Sequence, residues 1–439
     1  MYIGIDLGTT VCKGFLYDGS GTVKAEFYEE YPLIFRSEFI EQDAEQWWEI
    51  TKKAIRSLLS ASGFPRIQAL SLSTQSISFV PVDPNGRPLS PALTWLDTRA
   101  SAQCKKLSEA GWVDKIFRIT GKPVDATYSL PKFMWMAEYD PELLKKADKL
   151  LFPLDYLNYR LTGRAVTDYT IAGGSMAFDI QKKAWNDELL SLAGINAKKL
   201  PEVCCMGKPV GTILDEVSKE TGLNRDAVVV LGGQDQKLAA IGAGICSDIA
   251  TVSFGTAAAV SLLCKQFDDS CRICPVFRFD DNCYVSEAVV GTSGAALKWT
   301  ANTLFGGLSY RELDVMAEAS PPGANGVSFL PDFTNGAKLS GLTLATTAGD
   351  IVRALLEGIC TKIAVYLDAF GGASEIRVFG GGAKSEIWCQ ILSDLTGTAV
   401  CVMDTPETAS RGAAMLASNF QISPSAILRK IVPSNSTLL

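Results

Sequence analysis

A chain of 439 residues exceeds what one hydrophobic core organises and predicts two or three domains. Its net charge of −7 leaves no basic excess to neutralise the phosphates of a nucleic acid. Histidine is absent, which excludes Ser-His-Asp and Cys-His mechanisms and all histidine metal sites, and leaves Asp or Glu as the leading general base.

The chain opens MYIGIDLGTTVCKGFLY. An apolar run from Tyr2 to Ile5 ends at Asp6, and a small corner, Leu7-Gly8-Thr9-Thr10, precedes a second apolar run from Val11 to Leu16. The pattern predicts strand, tight turn, strand. Gly8 admits a close ligand, while the turn N–H groups, the Thr9 and Thr10 hydroxyls and Lys13 are donors suited to phosphate oxygens. With Asp6 beside them they suggest a nucleotide with Mg²⁺; an ordinary hairpin is the competing reading. The direct entry into a strand, with no basic segment before it, predicts no signal peptide.

Thr22 to Tyr31 reads as a further strand and Glu41 to Ser60 as a helix, with Trp47, Ile50, Ala54, Ile55, Leu58 and Leu59 at helical spacing. Ala69 to Ser73 predicts a buried strand that opens onto Thr74-Gln75-Ser76. Leu93 to Arg99 begins extended, and residues 101 to 160 read as mainly helical. Asp168 to Asp179 is small and polar and predicts a loop. Val228 to Leu231 predicts a strand ending in Gly232-Gly233-Gln234-Asp235-Gln236, where a helix starts. Asp235 in that corner is placed to take a proton from a substrate hydroxyl, or to cap the helix.

Ile249 to Phe254, Gly255-Thr256 and Ala257 to Leu263 then repeat the opening pattern. The repeat predicts a duplicated α/β domain divided near Ala243, as 1–243 and 244–439, with both Gly-Thr turns on a shared cleft. Helices are expected over 294–304 and 349–370, and a strand over 376–379. Gly380-Gly381-Gly382-Ala383 opens another helix, where the glycines allow a flat ligand against backbone or simply close packing. The tail shows no distinctive pattern. Neither a Walker P-loop nor a full G-x-G-x-x-G is present. The twelve scattered cysteines suggest reduced thiols in a cytoplasm. Cys271 and Cys274 form one C-x-x-C with no second pair, and with Cys264 and Cys283 read as core thiols before zinc ligands. No apolar run reaches membrane-spanning length.

These motifs, in this order over nearly the whole chain, resemble the FGGY family of carbohydrate kinases, within the actin and heat-shock chaperone superfamily. The resemblance is to xylulose kinase-like members. It implies two ribonuclease-H-like (actin-like ATPase) domains facing a central cleft, and transfer from ATP with Mg²⁺ to a hydroxyl of a small sugar or polyol, a xylulose-like pentulose first. Asp235 matches the family's catalytic base, and Asp6 its metal-associated acid; both are candidates for the metal. Gly255 and Thr256 match the second phosphate loop, Gly381, Gly382 and Ala383 the adenosine loop, and Gly294 and Lys298 a segment lining the nucleotide. Trp95, Asp97 and Arg99, in TWLDTRA, match a signature near the sugar, where Gln75, Ser76, Asp235 and Gln236 also belong. Two departures stand out. Thr74-Gln75-Ser76 replaces the Met-His-Gly usual in xylulose kinases, and Asp235-Gln236 replaces Asp-Asn. A cytoplasmic homodimer is expected. The alternatives are a non-catalytic nucleotide- or sugar-binding regulator of the same fold and, less well matched, a chaperone-like or filament-forming ATPase.

Overall fold

The computed structural model describes residues 1–36, 39–270, 272–333 and 336–434. It divides into two compact α/β units. The first comprises Met1–Gly242, Lys265–Tyr284 and Ala409–Pro424; the second comprises Ala243–Cys264, Val285–Thr408 and the residues from Ser425 on.

The first unit is built on β1 (Tyr2–Leu7), β2 (Val11–Tyr17), β3 (Val23–Glu30), β4 (Ala69–Thr74), β5 (Pro209–Thr212) and β6 (Val228–Gln234). They lie side by side in the order β5-β6-β4-β1-β2-β3. β1, β4 and β6 are parallel neighbours, whereas β2 runs antiparallel to β1. β4 is buried along its whole length, and in β1 only Asp6 is partly exposed, as befits central strands covered on both faces. Helix α1 (Ala44–Ala61) covers one face with Trp47, Ile50, Ala54, Ile55 and Leu58. It starts later than the sequence predicted. Phe39–Gln42 is a short strand, and the Asp43 carboxylate accepts from the Glu45 N–H, so Asp43 is the cap.

Two further expectations are corrected. Asp168 to Asp179 is no loop: Tyr169–Gly173 is a buried helical turn, nucleated by Asp168 accepting from the Thr170 and Ile171 N–H groups. Its small residues, which suggested a loop, are what allow it to be buried. β6 also continues through Gly232 and Gly233 rather than ending at Leu231. A Cβ on Gly232 would lie 1.8 Å from the Leu72 carbonyl oxygen, so only glycine lets β6 approach β4 here. Helix α2 (Asp235–Ala243) follows at once.

The main sheet of the second unit includes six strands, β7 (Ile249–Phe254), β8 (Ala258–Cys264), β9 (Tyr284–Val290), β10 (Glu375–Phe379), β11 (Ala399–Met403) and β12 (Ile427–Ile431). Their order is β12-β11-β10-β7-β8-β9. β7 pairs antiparallel with β8 and parallel with β10, β10 pairs parallel with β11, and β11 antiparallel with β12. The order of these six strands matches that of the six in the first unit, the ribonuclease-H-like arrangement repeated. Helices α3 (Gly294–Trp299), α4 (Ala348–Ala369) and α5 (Glu386–Thr396) belong to this unit. The tail is more structured than its sequence suggested: it supplies β11, β12 and helix α6 (Thr408–Ala417).

The cysteines among the described residues are free thiols; Cys274 is buried, and Cys271 lies outside the described residues. Among the described residues no helix is long and apolar enough to cross a membrane.

Helix α6 is pressed against β1 and α2. A Cβ on Gly412 would stand 1.9 Å from the Leu238 carbonyl oxygen, and one on Gly4 2.0 Å from that of Ser410. Gly412→Ala should therefore lower stability by about 1–3 kcal/mol in denaturant unfolding. Gly19→Ala, which meets nothing within 4 Å, should leave it unchanged.

Candidate active site

Asp6 stands opposite Ser73 in the parallel ladder, and Ser73 stands opposite Gly233. Three adjacent strand ends thus present one row. At a strand spacing of about 4.8 Å, Asp6 and Gly233 are about 10 Å apart, with Ser73 between them. The Ser73 hydroxyl donates to Asp6 Oδ1 at 2.6 Å. Lys13 on β2 is the direct cross-strand partner of Asp6. Asp235 begins α2 just beyond the row; both acids are partly exposed. The Gln236 N–H donates to Asp235 Oδ1 at 2.7 Å, which orients the carboxylate.

The first Gly-Thr turn is held by its carbonyls. The Tyr31 hydroxyl donates to the Gly8 carbonyl, Gln42 Nε2 donates to that of Thr9 at 2.5 Å, and the Tyr31 N–H donates to that of Thr10 at 2.8 Å. In a planar trans peptide the N–H points opposite the C=O, so the N–H groups of Thr9 and Thr10 are directed away from Tyr31 and Gln42. The second turn is held likewise. The Gly294 N–H donates to the Gly255 carbonyl, and those of Ser293 and Ala295 to that of Thr256, all at 3.0 Å. A Cβ on Gly294 would meet that Gly255 oxygen at 2.6 Å, which accounts for the glycine.

Around the acceptor side, Gln75 and Ser76 are buried and Trp95 is exposed. The Gln75 amide is engaged at both ends, donating to Gln42 Oε1 at 2.7 Å and accepting from Ser78 Oγ at 3.1 Å. Ile77 between them has φ 73°, and the Ser78 N–H donates to the Ser76 carbonyl at 2.8 Å, a γ-turn of positive φ. For a β-branched residue that conformation is strained, and it stands beside the predicted sugar residues. Asp97 and Arg99 do not open onto this surface. They form a buried pair, Arg99 Nη2 to Asp97 Oδ2 at 2.6 Å, with Glu41 as a second anion at 2.8 Å and the Phe39 ring 3.8 Å from the guanidinium. Burial alone would raise the Asp97 carboxyl, but hydrogen bonds from Arg99 and Ile40 hold it below the usual carboxylate range. Their place is to brace the loop that carries Trp95.

Sequence reasoning missed Asp168, Thr170, Tyr31 and Gln42. Thr170 Oγ1 donates to Asp168 Oδ2 at 2.7 Å and accepts from the Gln234 N–H at 3.0 Å, fixing the residue before Asp235. The only signal was an acid two residues before a threonine. Burial pushes the Asp168 carboxyl up to about 6.

In the second unit a cavity of about 1050 Å³ gathers most of the remaining predicted residues. Gly255, Thr256, Gly294, Lys298, Gly381 and Gly382 all line it, together with Tyr310 and Asp314, which the sequence did not suggest. Ala383 does not; it is buried behind Gly382. A Cβ on Gly381 would meet no protein atom within 4 Å and would occupy the cavity itself, whereas one on Gly382 would strike Phe254 and Trp388 at 2.9 Å. The cradle suits a flat, heteroaromatic group with a phosphate tail. Asp314 accepts from Ser385 Oγ at 2.8 Å, and burial raises its carboxyl.

Among the described residues no group of three or more Cys, Asp and Glu could hold a metal by itself. Hard oxygen donors at Asp6 and Asp235 fit the usual Mg²⁺ arrangement, in which one or two carboxylates act with substrate phosphates.

Comparison with known proteins covers the chain. The profile of the FGGY family of carbohydrate kinases, N-terminal domain, matches residues 1–242, and that of its C-terminal domain matches 251–419. The xylulose kinase of Bacillus subtilis (strain 168) is 32% identical over 435 residues, covering 94% of this chain and 87% of that protein. Among solved structures, the ligand-bound xylulose kinase of Lactobacillus acidophilus superimposes with a TM-score of 0.93 at 25% identity, over 99% of this chain and 94% of that one. The gluconate kinase of the same organism also gives a TM-score of 0.93 at 25% identity, over 99% and 93%.

Gly381→Ala should leave stability within about 0.5 kcal/mol of the parent but weaken ATP binding about tenfold by calorimetry. Asp168 binds its proton more tightly in the folded state than in the unfolded one, so its contribution to stability falls as pH rises from about 4 to about 6. The stability difference between the parent and Asp168→Asn should therefore shift against the parent across that window, by about 1–3 kcal/mol in denaturant titrations.

Proposed function

The chain belongs to the FGGY family of carbohydrate kinases, and we propose that it uses ATP to phosphorylate a hydroxyl of a xylulose-like ketopentose. The sugar goes to the 1–243 half and the adenosine to the 244–439 half. Asp235 accepts the proton of the attacking hydroxyl. The Gln236 N–H that grips Oδ1 keeps the carboxylate aimed. A positioned carboxylate suffices because phosphoryl transfer asks the protein mainly for alignment and charge stabilisation. The N–H groups of Thr9, Thr10 and Thr256, with the Thr9 hydroxyl and Lys13, receive phosphate oxygens. Mg²⁺ held by Asp6 and Asp235, when bound, offsets negative charge on the β- and γ-phosphates. Gln75, Ser76, Trp95 and Gln236 shape the acceptor pocket, and Asp97 and Arg99 support it.

The single observation that supports this most is the row Asp6, Ser73, Gly233 across three parallel strand ends, with Asp235 next in the chain. A non-catalytic regulator is not favoured, because both acids are retained and the relatives are named as kinases. The likeness to a gluconate kinase adds an aldonate to the candidate acceptors. A cytoplasmic location goes with the free thiols. The homodimer expectation is a question for light scattering.

ADP release measured over ketopentoses, ketohexoses, alditols and gluconate should be strongest with D-xylulose. Asp235→Asn should lower kcat by about 10²–10⁴-fold while leaving the KM for ATP nearly unchanged. Near-normal sugar-dependent turnover in that variant would refute the assignment of the base.

A further inference from the structure

Trp95 is predicted to face the sugar, yet its indole N–H is committed elsewhere. Nε1 donates to the Thr9 hydroxyl oxygen at 2.9 Å. The bond is one link of a closed circuit. The Trp95 backbone N–H donates to Ser78 Oγ at 3.1 Å, and Ser78 Oγ donates to Gln75 Oε1 at 3.1 Å. Gln75 Nε2 donates to Gln42 Oε1 at 2.7 Å, and Gln42 Nε2 donates to the Thr9 carbonyl at 2.5 Å. Thr9 is therefore gripped twice by one ring, at its carbonyl and at its hydroxyl. Gln42 and Gln75 are 1% and 2% exposed, so their links are shielded from water.

A threonine hydroxyl has one proton and two lone pairs. When an indole N–H occupies a lone pair, the O–H cannot point at that donor. We propose that Trp95 is a positioning residue for the nucleotide: by donating to Thr9 Oγ1 it turns the Thr9 hydroxyl into an outward donor for a phosphate oxygen of ATP. The proposal rests on reading Gly8-Thr9-Thr10 as a phosphate turn. It gives a residue of the sugar signature a task on the nucleotide side, and it makes the acceptor loop 75–78 and the phosphate turn a single bonded body.

The test is calorimetric titration of the full chain with a non-hydrolysable ATP analogue plus Mg²⁺, and separately with D-xylulose. Trp95→Phe keeps an aromatic ring, smaller than the indole, and removes the N–H. It should weaken the analogue about five- to tenfold, the worth of one hydrogen bond. Thr9→Val should weaken the analogue comparably, Thr9→Ser should restore it, and the double variant should be no weaker than Thr9→Val alone. Losses that add, or a Trp95→Phe effect confined to D-xylulose, would overturn the proposal. If Trp95→Phe does not fold, the Trp95 indole N–H resonance decides: it should move in Thr9→Val, and a fixed resonance counts against the bond. A protein that binds the analogue with this pattern but phosphorylates no acceptor would sink the kinase reading and leave this coupling standing.

Discussion

The capture of carbonyl oxygens at the two Gly-Thr turns is the constraint on which the site depends. A tight turn left to solvent would display both its C=O and N–H groups and would attract no anion in particular. Here side chains or helix N-terminal amides hold the C=O groups from one side, leaving the N–H groups to point the other way. The two turns reach this by different means. Tyr31 and Gln42 hold the first, while the first amides of α3 hold the second. Helix α3 thereby satisfies its own orphan donors on protein oxygen rather than on a ligand. The same inward capture explains why Gly294 tolerates no Cβ.

The duplicated topology lets each half be read against the other. In both units a central strand has an antiparallel partner across the Gly-Thr turn and a parallel partner on its other side. What differs is the chemistry on the shared scaffold. Two residues before the turn glycine, the first unit carries Asp6 and the second carries Ser253. The acid therefore survives in one copy only. The second copy carries instead a glycine-rich 3₁₀ turn, Gly381–Lys384, ahead of α5, with Gly382 against Phe254 and Trp388. One fold has thus been given a charged edge in one unit and an open cradle in the other.

Much of this was legible in the sequence because it is carried by local pattern. Apolar runs ending at Asp6, Leu231 and Phe379 located the strands, and Gly-Thr after a strand located both turns. Six of the predicted nucleotide residues meet in one cavity because they sit on turns and helix starts, where sequence and position are tightly linked. The illegible parts depend on distant partners. Asp168 to Asp179 looked like a loop because small residues suit loops and buried helical turns equally, and only packing decides. Tyr31 and Gln42 carry no motif; their value comes from where the end of β3 and the short strand Phe39–Gln42 bring them. Asp97 and Arg99, which the TWLDTRA signature places near the sugar, are held by each other, and Glu41 is a second anion on Arg99. Two compact units that each draw on separated stretches of chain are likewise invisible to any linear reading.

The central claim is that inward-held carbonyls make phosphate sites of residues 8–10 and 255–256. Backbone amide resonances followed during titration with Mg²⁺ and a non-hydrolysable ATP analogue test it most directly. The account predicts large, saturable shifts at the amides of Thr9, Thr10 and Thr256, with slowed hydrogen exchange there and little change at the hairpin amides of Gly19 to Gly21. Shifts confined to other loops, with those three amides unmoved at saturation, would contradict it.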